Sequence, residues 1–253
     1  NAIALLAPGV TASDSAFGGI PTIGGSSAGE NTYFINGLNI TKFRDFTGSS
    51  TVPFEFYQTL ETKTGGYSSE FGRGTGGVLN GTTKSGGNEW EFGITAYYEP
   101  DSLSEDAPDT YLAQNKFDES ESSDVILDFG GPIIRDRLFV FGLYNFRDRE
   151  NVNIGTTTVD PAFGPGSNGT RVTSDDPFYG AKVDFLITDD HRLEFTYFSD
   201  EQTQSTENIF VDASGNQIGS FTPSTFEFGG DNYIGRYTGV WTDWLTTSIA
   251  YGV

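Results

Sequence analysis

Four places in this sequence carry residue types that chemistry could use. His191 is the only histidine, so a Ser-His-Asp triad or a histidine-ligated metal would have to run through it. It lies in Asp189-Asp190-His191-Arg192, a polar cluster of the kind that forms a solvated turn. Gly25-Ser26-Ser27-Ala28-Gly29 spells the G-x-S-x-G elbow, but no apolar strand precedes it and no helix follows, so it reads as a glycine-rich turn. Gly72, Gly74 and Gly77 fit G-x-G-x-x-G without a βαβ unit around them, and Val78-Leu79-Asn80 continues as strand, which argues against dinucleotide binding. The acids Glu105, Asp106, Asp109, Asp118, Glu119 and Glu121 could hold Ca²⁺ or attract a cationic ligand, although such clusters are most often solvated surface. Asp212-Ala213-Ser214-Gly215-Asn216 alternates oxygen-bearing side chains as calcium loops do, but lacks their later bidentate Glu; a Gly-Asn hairpin tip is the simpler account. No triad or carboxylate pair assembles from these parts, and a protein that is not an enzyme is expected.

The elements that would position such residues are strands. Glycine (33 residues) and aromatics (15%) in 253 residues suit hairpins and sheets, and runs of helix formers are short. A net charge of −21 argues against nucleic acid, which needs a basic face. With no cysteine there is no disulfide framework and no thiolate site. No stretch reaches about 18 consecutive apolar residues, the length of a membrane helix. The sequence has no methionine and starts without the basic residues of a signal peptide, so its natural start is expected to lie upstream.

Charge divides the chain. Residues 1–86 hold six acids and five bases, which leaves 29 of the 35 acids and 9 of the 14 bases to the remainder. A boundary is expected near Gly87. Beyond it, alternation of period two sets in: Trp90, Phe92, Ile94, Ala96 and Tyr98 share one face, with Glu91, Gly93, Thr95, Tyr97 and Glu99 on the other. Tyr179 to Ile187, Arg192 to Tyr197 and Tyr233 to Trp241 repeat the pattern, while Leu138 to Phe146 is more uniformly apolar. Connections alternate between long (about 100–122, 151–176 and 203–230) and short (130–136, 188–191 and 242–245). Outer-membrane barrels have that asymmetry of rims, an apolar outer face and aromatic girdles. Patterning alone leaves a soluble β-sandwich or propeller equally open.

The first 86 residues tilt the balance. Glu30-Asn31-Thr32-Tyr33-Phe34-Ile35-Asn36-Gly37-Leu38-Asn39 resembles a plug-domain strand of TonB-dependent receptors, with Asn36-Gly37 where an acid-Gly turn is usual. Val52-Pro53-Phe54-Glu55-Phe56, then Leu60 through Asn80 with Gly65-Gly66-Tyr67-Ser68-Ser69-Glu70-Phe71-Gly72-Arg73-Gly74-Thr75-Gly76-Gly77 at its centre, then Thr83-Lys84-Ser85-Gly86-Gly87-Asn88, is similar to the family's plug-to-barrel signature. The central phrase most resembles the Oar-like subgroup.

The resemblance implies an all-β chain in two parts: a plug domain (1–86) without its first strands, and about seven N-terminal strands (87–253) of a transmembrane antiparallel β-barrel that has 22 strands in the complete family. It implies no cofactor, outer-membrane lipid and TonB as partners, the TonB contact lying upstream of Asn1, and the outer membrane of a Gram-negative-type bacterium as location. The ligand would be captured by extracellular loops and admitted when TonB rearranges the plug; peptide or protein cargo is favoured, with glycans and siderophores open. Plug-motif residues with a structural or gating part would be Glu30, Asn31, Asn36, Gly37, Glu61, Gly65, Tyr67, Phe71, Gly72, Arg73, Gly76, Gly77, Asn80 and Lys84, among which Glu61, Arg73 and Lys84 are expected to make polar contacts to the barrel. The competing reading is a structural or adhesive outer-membrane β protein that transports nothing.

Overall fold

The computed structural model describes residues 2–13, 20–42, 48–72, 74–105 and 107–253. Arg73 and Asp106 fall outside them. Helix among the described residues is confined to short 3₁₀ segments, and no helix is long and apolar enough to cross a membrane, which says nothing of crossing by strands. The strands are β1 (Val10–Ala12), β2 (Pro21–Ile23), β3 (Thr32–Ile35), β4 (Leu38–Asn39), β5 (Tyr57–Lys63), β6 (Val78–Thr83), β7 (Glu91–Glu99), β8 (Glu119–Ile134), β9 (Leu138–Asp160), β10 (Gly164–Ser174), β11 (Phe178–Thr188), β12 (His191–Ser199), β13 (Gln202–Val211), β14 (Gln217–Ser220), β15 (Ser224–Phe228), β16 (Asp231–Thr242) and β17 (Leu245–Gly252).

A four-stranded mixed sheet runs β4-β3-β6-β5, with β3 parallel to β6 (Thr32 opposite Val78) and β5 antiparallel to it. Its tight spots explain the glycine series locally. A side chain on Gly77 would run into Ile23, so the loop before β6 can lie against β2 only as bare backbone. Asn31, fully buried, holds the same crossing: its amide donates to Pro21 O (2.6 Å) and its carbonyl accepts from Gly77 N (3.0 Å).

The second sheet has eleven strands. Seven of them, β7-β8-β9-β11-β12-β16-β17, are neighbours in antiparallel succession and curl into half a barrel. Side chains alternate across it in a sense opposite to that of a soluble domain. Phe92, Ile94, Leu127, Phe129, Tyr144, Phe146, Phe195, Tyr233 and Ile249 are exposed on the convex face. Their neighbours Ile126, Phe141, Leu143, Phe198 and Ile234 are buried on the concave face, in one cluster with Tyr33, Ile35, Phe56 and Leu79 of the small sheet. An apolar outer band over a filled interior is the membrane-barrel arrangement.

Two readings of the connections need correction. Residues 130–134 continue β8, and the turn is only Arg135–Arg137. The Gly130-Gly131 pair serves close approach: Trp90 lies over Gly131 where a side chain would stand, and Gly86 threads past the backbone of Gly131 and Val140. The long links at 151–176 and 203–230 are largely strand. Past its pairing with β11, β9 continues to Asp160 and carries β10, which pairs β13 (Ser167 opposite Val211), and β13 in turn carries β14 and β15. Their polar and glycine-rich composition hid these strands, because they satisfy a backbone ladder without a strong apolar stripe.

Asn31→Ala would leave the Gly77 amide and the Pro21 carbonyl unpaired in a buried place. We expect a loss of about 1–3 kcal/mol in the small sheet, the usual cost of stranding buried polar groups, read as faster amide exchange at Gly77 and Val78 than in the parent.

Candidate functional site

The contact between the small sheet and the concave wall is the candidate site, because any movement of one relative to the other has to break it. Its centre is Phe56. Pro53 opens a single 3₁₀ turn, Phe54–Phe56, that points Phe56 away from the start of β5, and the carbonyl of Phe56 accepts from Lys84 N (2.9 Å). The Phe56 ring is wholly buried among Phe141 of β9 (6.1 Å between centroids), Phe178 of β11 (5.4 Å, edge-on) and Phe198 of β12 (6.1 Å). A notch completes the cage: a side-chain carbon on Gly180 would stand 2.7 Å from the Phe56 ring. Edge-on aromatic pairs contribute about 0.5–1.5 kcal/mol each beyond burial.

Polar contacts surround this apolar clasp. Asn36, at a positive φ of 48°, donates through its amide to Thr83 Oγ1 (2.7 Å) in its own sheet and to Thr196 Oγ1 (2.9 Å) on the wall. Arg236 Nη2 of β16 donates to Asn36 O (2.7 Å), and a side chain at Gly37 would collide with that guanidinium. The backbone N–H of Thr51 donates to Asp200 Oδ2 (3.1 Å), and the Tyr97 hydroxyl donates to Glu55 Oε1 (2.6 Å). Below Asn36 the wall holds a charge network: Arg192 Nη2 reaches Asp184 Oδ1 (2.6 Å) and Glu194 Oε1 (3.1 Å), with buried Lys182 Nζ 3.4 Å from Glu194. Burial pushes the Tyr57 hydroxyl pKa well up, helped by the nearby Asp200 charge; burial also raises that of Tyr33, against a smaller opposing effect of the neighbouring Asn31 side chain.

The remaining sequence-derived residues have their own places. The carboxylate of Glu30 accepts from Ser27 N (2.7 Å), which makes Gly25–Gly29 part of a turn. Glu61 pairs with Lys63 (2.7 Å), and Lys63 also sits over the Phe71 ring. The Tyr67 hydroxyl donates to the carbonyls of Gly74 and Gly76, Phe71 stands edge-on to Phe34 and Tyr67, and Gly72 is in a left-handed conformation (φ 71°). Asn80 lies in β6 between Phe34 and Glu61. Lys84 begins the link to the wall, where Asn88 and Asp136 exchange two hydrogen bonds (2.7 and 2.9 Å).

The acids of the long connection are dispersed. Asp109 binds Lys116, whose backbone N–H and ammonium hold the carboxyl below its usual range; Asp118 accepts from Ile154 N (2.6 Å); Glu121 accepts from the Tyr98 hydroxyl; Glu105 and Glu119 are exposed or nearly so. Among the described residues no three acids or histidines gather as metal ligands. Asp212 caps a hairpin tip, accepting from the Asn216 amide and from the Ser214 and Asn216 backbone, which lowers its pKa. His191 is not a solvated turn residue: its Nδ1 lies 2.6 Å from the Tyr237 hydroxyl and its ring packs on Trp241, because the β12–β16 register sets it opposite Gly239. Phe56, Gly180 and Thr196 escaped sequence reading, since the contacts that join them to the other element (Phe56 with Phe178, Gly180 with Phe56, Thr196 with Asn36) each span more than a hundred residues of chain. The faint local signal was Pro53-Phe54-Glu55-Phe56, two aromatics ahead of a polar strand.

A curled antiparallel wall, apolar outside and clasping a small mixed sheet within, defines a piece of a plugged β-barrel. No family model matches the sequence. The sequence is 29% identical over 219 residues to the TonB-dependent transporter Oar of Myxococcus xanthus, a match that takes in 77% of this chain and 20% of that protein. The chain thus spans about a fifth of the length of the curated relative it matches. Among solved structures, the siderophore receptor PirA from Acinetobacter baumannii aligns over 96% of this chain and 43% of its own (13% identity, TM-score 0.44). The outer membrane transporter YddB from Escherichia coli aligns over 92% and 50% (11% identity, TM-score 0.30). The Oar match agrees with the resemblance carried by the plug motif and supports a partial TonB-dependent receptor.

Two outcomes follow for the clasp. Phe56→Ala should cost about 3–5 kcal/mol of seating free energy, the usual range for a buried phenylalanine, and Gly180→Ala should loosen the same contact without touching the small sheet; in planar bilayers both full-length variants should leak ions where the parent is tight. Because a tyrosine pKa raised by burial adds stability that is full below the ordinary value near 10 and is lost as pH climbs past it, alkaline titration should show buried Tyr57 and Tyr33 ionising above the ordinary tyrosine range, with leakage setting in as they do.

Proposed function

We propose that the whole protein is a TonB-dependent receptor and transporter of the outer membrane of a Gram-negative-type bacterium, in which residues 1–86 are the plug that gates passage and residues 87–253 are the first strands of the barrel. TonB would act through a segment that is not part of this chain. The outward extension built by the far half of β9 with β10, β13, β14 and β15 would be the capture surface, for a peptide, protein or glycan cargo.

The observation that carries this reading is the mixed character of the seat. Phe56 in its cage, together with three polar links from Asn36, Thr51 and Glu55 to the wall, holds the small sheet by something on the order of 5–10 kcal/mol, taking a buried phenylalanine at about 4 and each hydrogen bond at about 1. Thermal motion alone leaves such a seat closed nearly all the time, yet the work available from an energised partner can open it. A purely adhesive protein has no use for a release threshold in that range.

A single cysteine at Leu38, which packs beside Gly252 at the seat, tests the reading without knowledge of the cargo. In cells carrying the full-length receptor, its labelling by a polar maleimide should be several-fold faster when TonB is present and energised than in cells lacking TonB or treated with a protonophore. Equal rates in all three would favour the adhesive alternative.

A further inference from the structure

The outward extension carries a second site, on the face of its sheet. A cavity of about 540 Å³ opens there, lined by Asn115, Asp118, Asn153, Asn168, Thr170 and Asn208, with Ile154 reaching it from the packed face. The asparagines come from four separate segments. Asn153 of β9 stands opposite Thr170 of β10, and Thr170 stands opposite Asn208 of β13, so three polar side chains form a row across three strands. Asparagine is disfavoured in strands, where it packs poorly and competes for backbone bonds, so its repetition on one face is not what sheet stability alone would select. The opposite face needs no help: Val152, Ile154, Ile209 and Val211 pack there with Phe117 as a small core that keeps the three strands rigid.

The amides differ in what they are already doing. Asn115 donates to Pro108 O and Asp118 accepts from Ile154 N, contacts that fix the rim. Among the described residues, the side chains of Asn153, Asn168 and Asn208 make no hydrogen bond, and all three are exposed. Each amide offers two donors and one acceptor oxygen, the complement of a hydroxyl that both gives and accepts.

We infer that this cavity is a binding site for a neutral oligosaccharide. The inference deepens the capture role proposed above by naming its ligand chemistry. The lining carries one carboxylate, with an oxygen already committed, so it offers little to a cationic ligand, and a chain of net charge −21 disfavours an anionic one. An extended peptide would bind by adding to a strand edge, but at these positions the edges are taken: β10 lies between β9 and β13, and Phe221 N occupies the carbonyl of Asn208. Vicinal hydroxyls on a sugar face meet a row of amides without needing an edge. The sugar could come from a soluble glycan or from the polysaccharide of a neighbouring membrane glycolipid, and the chemistry is the same.

The test uses the full-length receptor in nanodiscs, fluorescently labelled, on an array of neutral glucans, mannans and galactans with O-polysaccharide-bearing lipopolysaccharide as a separate arm. The expected result is retention on at least one neutral glycan, reduced tenfold or more by Asn153→Leu with Asn208→Leu, and several-fold by Thr170→Val, a change that favours strand and spares the fold. Retention confined to the lipopolysaccharide arm and sensitive to the same substitutions supports the site and names the glycolipid as its source. Retention on no glycan, or retention that the substitutions leave unchanged, overturns the inference. Binding is read here without transport, so a receptor that holds glycan yet shows no TonB-dependent labelling at Leu38→Cys would contradict the transporter reading and leave this one standing.

Discussion

The register of β9 is the constraint on which the rest of the molecule depends. That one strand of 23 residues pairs with β8 for most of its length, with β11 along its first half and with β10 along its second. Because side chains alternate with period two, this register settles at once that Tyr144 and Phe146 face outward while Phe141, Leu143 and Asn145 face inward. A slip by one residue would turn the Phe56 cage to the outside and bring Tyr144 and Phe146 into the interior. The wall, the clasp and the outward extension are thus three consequences of one ladder of backbone hydrogen bonds. That ladder is obligatory in a hydrocarbon surrounding, where no water can satisfy an unpaired amide.

Inside the wall, the division of labour follows from solvent. Apolar contacts such as Phe56 with Phe178 keep their strength when water is near, because water offers no substitute for them. Hydrogen bonds such as Asn36 to Thr196, or Arg236 to the Asn36 carbonyl, can be exchanged for bonds to water at small net cost. Under the gating role proposed above, a small sheet that must be secure at rest and removable under work would be served by that mixture. Glycine takes part as shape: Gly180 makes the notch for Phe56, and Gly77 lets the plug's own strands cross.

How much of this could be read in advance depended on whether the signal was local. The strands at Trp90–Glu99, Tyr179–Ile187 and Arg192–Tyr197 announced themselves by alternation, since each has one wet and one apolar face. The strands of the extension did not: Asn168, Gly169 and Thr170, or Thr203 through Asn208, have the composition of a loop, and only pairing with β9 and β10 makes them strands. Gly130-Gly131-Pro132 looked like a turn because glycine and proline usually mark one; here the glycines make room for Trp90 and for the link at Gly86. The plug motif was legible as a pattern, but the residues that bind it to the wall were not. Glu61 turned to Lys63, while Asn36, Thr51 and Glu55 met partners from far along the chain.

The central claim is that the face of the wall bearing Leu127 meets lipid and the face bearing Ile126 meets the plug. Nitroxide labels placed singly at these two adjacent positions of the full-length receptor in lipid bilayers test it directly, through relaxation by dissolved oxygen and by a water-soluble nickel complex. The account predicts strong oxygen and weak nickel relaxation at Leu127, and little of either at Ile126. Nickel relaxation at Leu127 as strong as that of a label in water, or oxygen relaxation at Ile126 equal to that at Leu127, would contradict it.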